Sequence, residues 1–140
     1  MTRINFNRVL MGGLLAGLIL SIGDTILNHS LLGEQWKAAM DTLGKTSPDS
    51  GAVAWFIIMD FIVGVAMVWL YAAIRPRFGA GPRTAVVTGL IVWFFASLWN
   101  SGSLMAMETF PAKLLMTGII WGFFQFPLAA TAGAWLYKEE

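Results

Sequence analysis

Four long apolar segments constrain this chain more than any other feature of its sequence. A membrane-spanning helix needs about 20 mostly apolar residues. Four stretches meet that length, at about residues 6–27, 53–74, 84–104 and 114–137. None shows the strict apolar and polar alternation of a membrane β-strand. Because lipid cannot hydrogen-bond to free backbone groups, the sequence predicts an all-α integral membrane four-helix bundle, with residues 1–140 forming a single domain.

The composition supports a chain whose main partner is the lipid bilayer. Hydrophobic residues make up 57% of the 140 residues and charged residues only 12%, whereas soluble domains carry about 25% charged residues. The net charge of +1 gives no reason to expect a nucleic-acid partner. The sequence contains no cysteine, which excludes disulfides, iron–sulfur clusters and thiolate zinc sites.

The distribution of Lys and Arg predicts the orientation in the membrane. Cytoplasmic loops carry more Lys and Arg than outer loops. With both termini in the cytoplasm, the inner set is Arg3, Arg8, Arg75, Arg77, Arg83 and Lys138, and the outer set is Lys37, Lys45 and Lys113. We therefore expect the N-terminus and the C-terminus to be cytoplasmic. An inner aromatic belt is expected at Trp69, Tyr71, Trp135 and Tyr137.

The first outer loop is long enough to hold structure of its own. Within residues 33–43, Trp36, Met40 and Leu43 recur at helical spacing. This pattern predicts a short amphipathic helix lying on the outer surface.

Two weak matches indicate an internal repeat. The triplet Gly-Leu-Ile occurs at 17–19 and again at 89–91, and an asparagine follows each at the same spacing, at Asn28 and Asn100. Trp-Leu-Tyr closes the second apolar segment at 69–71 and the fourth at 135–137. Two parallel helical hairpins would explain these matches, an arrangement that also occurs in transporters.

Small and polar residues follow one face of the first helix and one face of the fourth. The first helix carries Gly13, Gly17, Ser21, Asp24 and Asn28 at helical spacing, and the fourth carries Gly118, Gly122, Gln125 and Ala129. Small residues allow helix backbones to approach closely in a membrane. The pattern predicts tight packing toward the cytoplasm and a polar pocket toward the outside.

Two aspartates fall within the predicted spans, Asp24 and Asp60. Ionisable residues inside a membrane are costly and usually face the bundle interior. Asn100 can reach their layer, Gln125 lies nearer the middle of the membrane, and Asn28 continues the face of Asp24, so these five residues form the predicted intramembrane polar site. Two interpretations stay open: a proton-coupled or cation-binding site, or hydrogen bonds that only fix the packing of the helices.

A metal or haem site is a further hypothesis. His29 is the only histidine, and haem iron takes axial histidine and methionine ligands. Met105 and Met107 form a thioether pair of the kind that can hold copper(I). Methionines that merely fill gaps between helices explain the same residues, so the sequence identifies no particular cofactor.

The chain resembles a group of small bacterial inner-membrane proteins of unassigned function. The stretches that carry the resemblance run from Trp69 to Gly79 (WLYAAIRPRFG) and from Gly133 to Glu139 (GAWLYKE). The resemblance implies a four-helix protein of the bacterial inner, or cytoplasmic, membrane. It implies no activity and no site residues.

The sequence favours a non-enzymatic role. The first hypothesis is a protein that binds an apolar small molecule, such as a lipid or pigment, or serves as an accessory subunit of a larger membrane complex. The alternative is a small proton- or cation-coupled transporter or channel that uses Asp60 and Asp24. Four short helices rarely enclose a pathway alone, so a transporter would need to be a homo-oligomer.

Overall fold

In the computed structural model every regular element within the described residues, 3–139, is helical. Met1, Thr2 and Glu140, which the predicted domain also spans, lie outside the described residues. The helices in chain order are α1 (Phe6–Thr25), α2 (Gly33–Thr42), α3 (Ser50–Phe78), α4 (Pro82–Trp93), α5 (Asn100–Ala106) and α6 (Ala112–Leu136). Two π-helical turns, Ile26–Leu31 and Phe94–Trp99, prolong α1 and connect α4 to α5.

Four of the resulting helical segments are long and apolar enough to cross a membrane. They are Phe6–Leu31, Ser50–Phe78, Pro82–Ala106 and Ala112–Leu136. The predicted all-α four-helix fold is confirmed, and the protein is a multi-pass membrane protein. The first two spans begin at side-chain caps: Asn5 accepts a hydrogen bond from the Arg8 N–H at 3.2 Å, and Asp49 accepts one from the Ala52 N–H at 2.8 Å.

Consecutive spans run antiparallel, which gives the bundle two distinct ends. Helix α1 packs against both α3 and α6, and α6 also packs against α4. We call one end the termini end; it holds Arg3–Asn5, the Gly79–Gly81 turn and Tyr137–Glu139. The other is the α2 end, which holds α2 and the turn at residues 107–111.

Helices α1 and α3 touch backbone to backbone at three glycines. A Cβ atom built on Gly64 of α3 would lie 2.8 Å from the Cα of Gly17 and 2.5 Å from the carbonyl oxygen of Gly13. No real side chain tolerates such distances, so glycine is required here for the close approach. This contact agrees with the small-residue face predicted for the first helix.

The second hairpin repeats this contact at equivalent positions. Gly89 of α4 lies so close to α6 that a Cβ atom built on it would be 2.6 Å from the Cα of Pro127. Gly17 packs in the same way against Phe61 of α3. Phe61 and Pro127 precede Trp69 and Trp135, respectively, by the same number of residues. The contacts therefore support the internal repeat that the sequence indicated.

Two tyrosines join the hairpins at the termini end. The Tyr71 hydroxyl, on α3, accepts a hydrogen bond from the Gly81 N–H at the start of α4, at 3.0 Å. The Tyr137 hydroxyl, after α6, accepts one from the Asn5 N–H at the start of α1, at 3.4 Å. The two rings meet edge to face with their centroids 6.1 Å apart. Each hairpin thus supplies the tyrosine that binds the first helix of the other hairpin.

This role corrects the expected aromatic belt. Both tyrosines are buried, whereas Trp69 and Trp135 are 45% and 77% exposed. Only the two tryptophans therefore occupy positions that suit a membrane interface. The tyrosines are core residues, and their hydroxyl groups bind backbone N–H groups at the starts of α4 and α1.

The core is concentrated toward the termini end. Its buried side chains include Leu20, Met67, Val68 and Tyr71. At the α2 end, by contrast, the residues from Val53 to Met59 are exposed around most of the first turns of α3. No residue between Phe94 and Ala106 is buried. The second half of the third span and residues 50–59 of α3 are therefore less closely packed than the termini end.

Helix α2 is seated on the bundle rather than lying free on a surface. Its Ala39 and the preceding Leu32 are buried against Leu27 and Leu114. The Trp36 ring contacts that of Phe110 edge to face, with centroids 5.3 Å apart. The observed helix, Gly33–Thr42, matches the predicted one to within one residue.

The close contact of α1 with α3 predicts a large effect of one methyl group. We expect Gly64→Ala to lower the free energy of unfolding by about 1–3 kcal/mol, because the backbones must move apart to admit the Cβ atom. Reversible unfolding in mixed detergent micelles, followed by circular dichroism, measures this quantity. Gly118→Ala is the matched control, since nothing lies within 4 Å of its Cβ position. Equal stability of the two variants would contradict the packing described.

Candidate functional site

The structure brings Asp24 and Asp60 together. Asp24 is near the end of α1, Asp60 is in the first half of α3, and the two carboxyl groups are direct neighbours. Both side chains are partly buried. The Ser21 hydroxyl, one turn before Asp24, donates to Asp60 Oδ2 at 3.2 Å. We call Asp24 and Asp60 the carboxyl pair.

Gln125 binds the pair from α6. Its Nε2 donates to Asp24 Oδ1 at 2.8 Å and approaches the carbonyl oxygen of Leu20 at 3.5 Å. Its Oε1 accepts a short hydrogen bond from the Trp121 indole N–H, one turn earlier on the same helix. Gln125 is buried, and all its polar atoms have partners. Three helices, α1, α3 and α6, therefore contribute to the site.

Asn28 connects the same region to α2. Its Nδ2 donates to the backbone carbonyl of Asp24 at 3.1 Å. Its Oδ1 accepts from the Trp36 indole N–H at 2.9 Å. Asn28 lies in the first π-helical turn, an irregularity often found at functional sites. A continuous set of hydrogen bonds thus runs from Trp36 on α2 through Asn28 to the backbone carbonyl of Asp24, one member of the carboxyl pair.

No basic side chain neutralises the pair. Within residues 3–139 the one salt bridge joins Arg75 Nη1 to Glu139 Oε2 at 3.4 Å, at the termini end. Two like charges in contact repel strongly where water is scarce, because the effective dielectric constant is low. A proton or a bound cation would reduce this repulsion.

The other predicted site residues lie apart from the pair. Asn100 begins α5 and is exposed, with no side-chain hydrogen bond to the pair. His29 is exposed on the first π-helical turn, Met105 is half-buried in α5, and Met107 is 74% exposed. Among the described residues no cluster of three His, Cys, Asp or Glu side chains could hold a metal ion. The haem and copper hypotheses stay untested predictions.

The carboxyl pair, expected to line a polar pocket, does not line either of two open cavities in the described part of the chain. These cavities, of about 350 and 330 Å³, lie against residues Arg3–Asn7 and between α2 and the start of α6. Gly118, expected on the tight face of the fourth helix, has no atom within 4 Å of its Cβ position. The closely packed face of α6 begins one turn later, at Gly122, where a Cβ atom would lie 3.0 Å from the Trp93 side chain.

Two tryptophans of the site were not predicted. Trp121 and Trp36 hold Gln125 and Asn28 in place, and Ser21 was placed on the polar face without a role. The available signal was spacing: Trp121 precedes Gln125 by four residues and so shares its helix face. No such local signal pairs Trp36 with Asn28 in the absence of the fold.

Comparison of the chain with protein-family models, curated protein sequences and solved structures finds no match. The function must therefore be argued from the site itself.

The position of Gln125 predicts a measurable contribution to stability. We expect Gln125→Met to lower the free energy of unfolding by about 1–2 kcal/mol, because Trp121 and Asp24 would lose their hydrogen-bond partner. The same detergent unfolding experiment measures it. Thr131→Val on the same helix is the control, since that hydroxyl bonds only to its own helix, at the carbonyl oxygen of Pro127. A Gln125 variant as stable as the control would show that the hydrogen bonds contribute little.

Proposed function

We propose that this protein binds a proton or a small cation at the carboxyl pair, and that it acts as a small oligomeric transporter or channel coupled to that ion. The observation that carries the proposal is the contact between Asp24 and Asp60 inside an apolar bundle, with no basic side chain paired to either among residues 3–139. Two adjacent carboxyl groups of this kind typically share a proton or hold a cation.

The location of the pair supports ion coupling over a purely structural role. Carboxyl groups in membrane spans commonly mark ion pathways and proton relays. The neighbouring π-helical turn and the exposed start of α3, residues 53–59, leave this part of the bundle less closely packed than the termini end. A site that exchanges an ion with water needs such freedom, whereas a rigid packing contact does not.

We infer that the termini end faces the cytoplasm of a bacterium and that the protein resides in the inner membrane. Arg75, Arg77 and Arg83 lie at this end together with Arg3 and Arg8, which favours the cytoplasmic side. The resemblance of the 69–79 and 133–139 stretches to bacterial proteins supports the membrane assigned.

We also infer that several copies assemble. Three spans surround the carboxyl pair, and the third span lies beside α6 away from it. Within one chain both carboxyl groups nevertheless remain partly exposed. A homo-oligomer would supply further walls for an ion pathway, and no step of the proposal requires an enzymatic activity.

Ion flux tests the proposal directly. The full-length protein is reconstituted in vesicles of phosphatidylethanolamine and phosphatidylglycerol, and an inside-negative potassium diffusion potential is imposed. An internal pH dye and radioactive sodium report proton and cation uptake. We expect faster uptake of one ion than in protein-free vesicles. We also expect Asp60→Asn to slow it by at least about tenfold, equivalent to about 1.4 kcal/mol of barrier.

The matched control is Asp41→Asn, which removes an exposed carboxyl group on α2. It should leave uptake unchanged. Uptake equal to that of protein-free vesicles, or an Asp60 variant as fast as the wild type, would overturn the proposal.

A second candidate function, binding of an apolar small molecule, is favoured by the groove between α2 and α6. Its volume of about 330 Å³ falls within the range of about 300–1,000 Å³ typical of ligand pockets. Leu32, Ala39 and Leu114 supply apolar lining, and Lys113 lies at the edge. An amphiphile with an anionic group would fit this combination.

Native mass spectrometry of protein extracted gently from its own membrane tests this candidate. We expect a retained small molecule that is lost in Ala38→Trp, because Ala38 is an exposed lining residue and the indole would fill the groove. Lys37→Trp, an exposed neighbour that does not line the groove, serves as the control and should retain it. A bare wild-type protein would exclude ligand binding in the groove.

A further inference from the structure

The hydrogen bonds around the carboxyl pair restrict what it can bind. Gln125 Nε2 donates to Asp24 Oδ1, and the Ser21 hydroxyl donates to Asp60 Oδ2. Each carboxyl group thus receives one donor, and within residues 3–139 each keeps one oxygen without a side-chain donor. These two remaining oxygens are what the pair offers to a ligand.

Gln125 cannot turn its own oxygen toward the pair. The indole N–H of Trp121 is a donor only, and it binds Gln125 Oε1. The amide orientation is therefore fixed, with Nε2 facing Asp24 and the Leu20 carbonyl oxygen. Gln125 presents a donor to the site, so it does not serve as an oxygen ligand for a cation.

The remaining oxygens are too few for a hard cation. Calcium takes about six to eight oxygen ligands and magnesium about six in an octahedron. Here no third acidic or imidazole group joins the pair among the described residues, and Gln125 presents its amide nitrogen rather than its oxygen. Two adjacent carboxyl oxygens match the requirement of a single shared proton.

The hydrogen-bond donors of the two aspartates differ, Gln125 for Asp24 and Ser21 for Asp60. This difference indicates which carboxyl group is protonated. An amide –NH₂ group only donates, so Asp24 Oδ1 must act as an acceptor. A serine hydroxyl donates or accepts, so Ser21 can bind Asp60 in either protonation state. Asp60 can therefore be protonated on either oxygen, whereas Asp24 can be protonated only on Oδ2, so the surroundings favour Asp60 as the protonated member of the pair.

We propose that the ion bound by the pair is a proton, that Asp60 carries it, and that Gln125 is a positioning residue that keeps Asp24 as the acceptor. Binding transfers one proton from hydronium to a carboxylate oxygen of Asp60, releases one water molecule, and changes the charge of the pair from about −2 to about −1. This assignment rests on the proposed ion-coupling role, because it names the ion that the same site takes.

Dicyclohexylcarbodiimide is a suitable probe, because this apolar reagent reacts with the protonated form of a carboxyl group within a membrane. The carboxylic acid proton moves to a carbodiimide nitrogen, the carboxyl oxygen adds to the central carbon, and the adduct rearranges to a stable acylurea. The full-length protein in lipid nanodiscs is labelled across a pH series, and peptide mass spectrometry locates the adduct.

We expect one adduct, on Asp60, whose yield falls by about tenfold for each pH unit above the midpoint, as for a single titrating group. Sodium, potassium and calcium at constant ionic strength should leave the yield unchanged. In Gln125→Met the profile should shift to higher pH and Asp24 should also be labelled, because its fixed donor is lost. Thr131→Val should keep the wild-type profile, which separates positioning from a general effect on packing.

The contrary outcomes are distinct. Saturable protection by a metal cation would overturn the proton assignment while leaving ion binding at the pair intact. Labelling of Asp24 alone in the wild type would overturn the role given to Asp60. An absence of labelling at every pH would remove the proton site, and vesicles that nevertheless took up sodium would preserve the proposed function without it.

Discussion

The close backbone contact between α1 and α3 determines where the polar groups of this protein meet. Gly13, Gly17 and Gly64 let the two helices approach without side chains between them. One turn farther toward the α2 end, the same faces carry Ser21 and Asp60, and then Asp24. A wider separation would put the carboxyl groups out of reach of each other. Tight packing of small residues is thus the condition for the site as well as for the fold.

The internal repeat identifies the positions of the second hairpin that correspond to the carboxyl pair. Both hairpins share the glycine contact and both supply a tyrosine to the other. The positions in the second hairpin that correspond to Asp24 and Asp60 hold Ala96 and Phe126. The carboxyl pair therefore interrupts an otherwise repeated architecture. Since packing alone is satisfied by alanine and phenylalanine at these places, the carboxyl groups are not needed to hold a hairpin together.

Features that depend on local pattern could be predicted from the sequence. The spans and α2 follow from apolar length and spacing, and the polar faces of the first and fourth helices put Asp24 and Gln125 among the expected site residues. Features that depend on how the helices rotate against one another could not be predicted from the sequence. Asn100 was expected in the same layer but is exposed at the start of α5, directly after a π-helical turn that has no buried residue. The tyrosines were expected at the membrane interface because nothing local reveals their distant backbone partners.

The exchange of tyrosines between hairpins also orders the events of biosynthesis. Tyr71 is synthesised before α4, so the Gly81 N–H at the start of α4 has its hydrogen-bond partner already present in the chain. The start of α1 is made first, yet its partner Tyr137 follows all four spans. The Asn5 N–H at the start of α1 therefore lacks this hydrogen-bond partner until the fourth span has been synthesised. Closure of the termini end is in this way coupled to synthesis of all four spans.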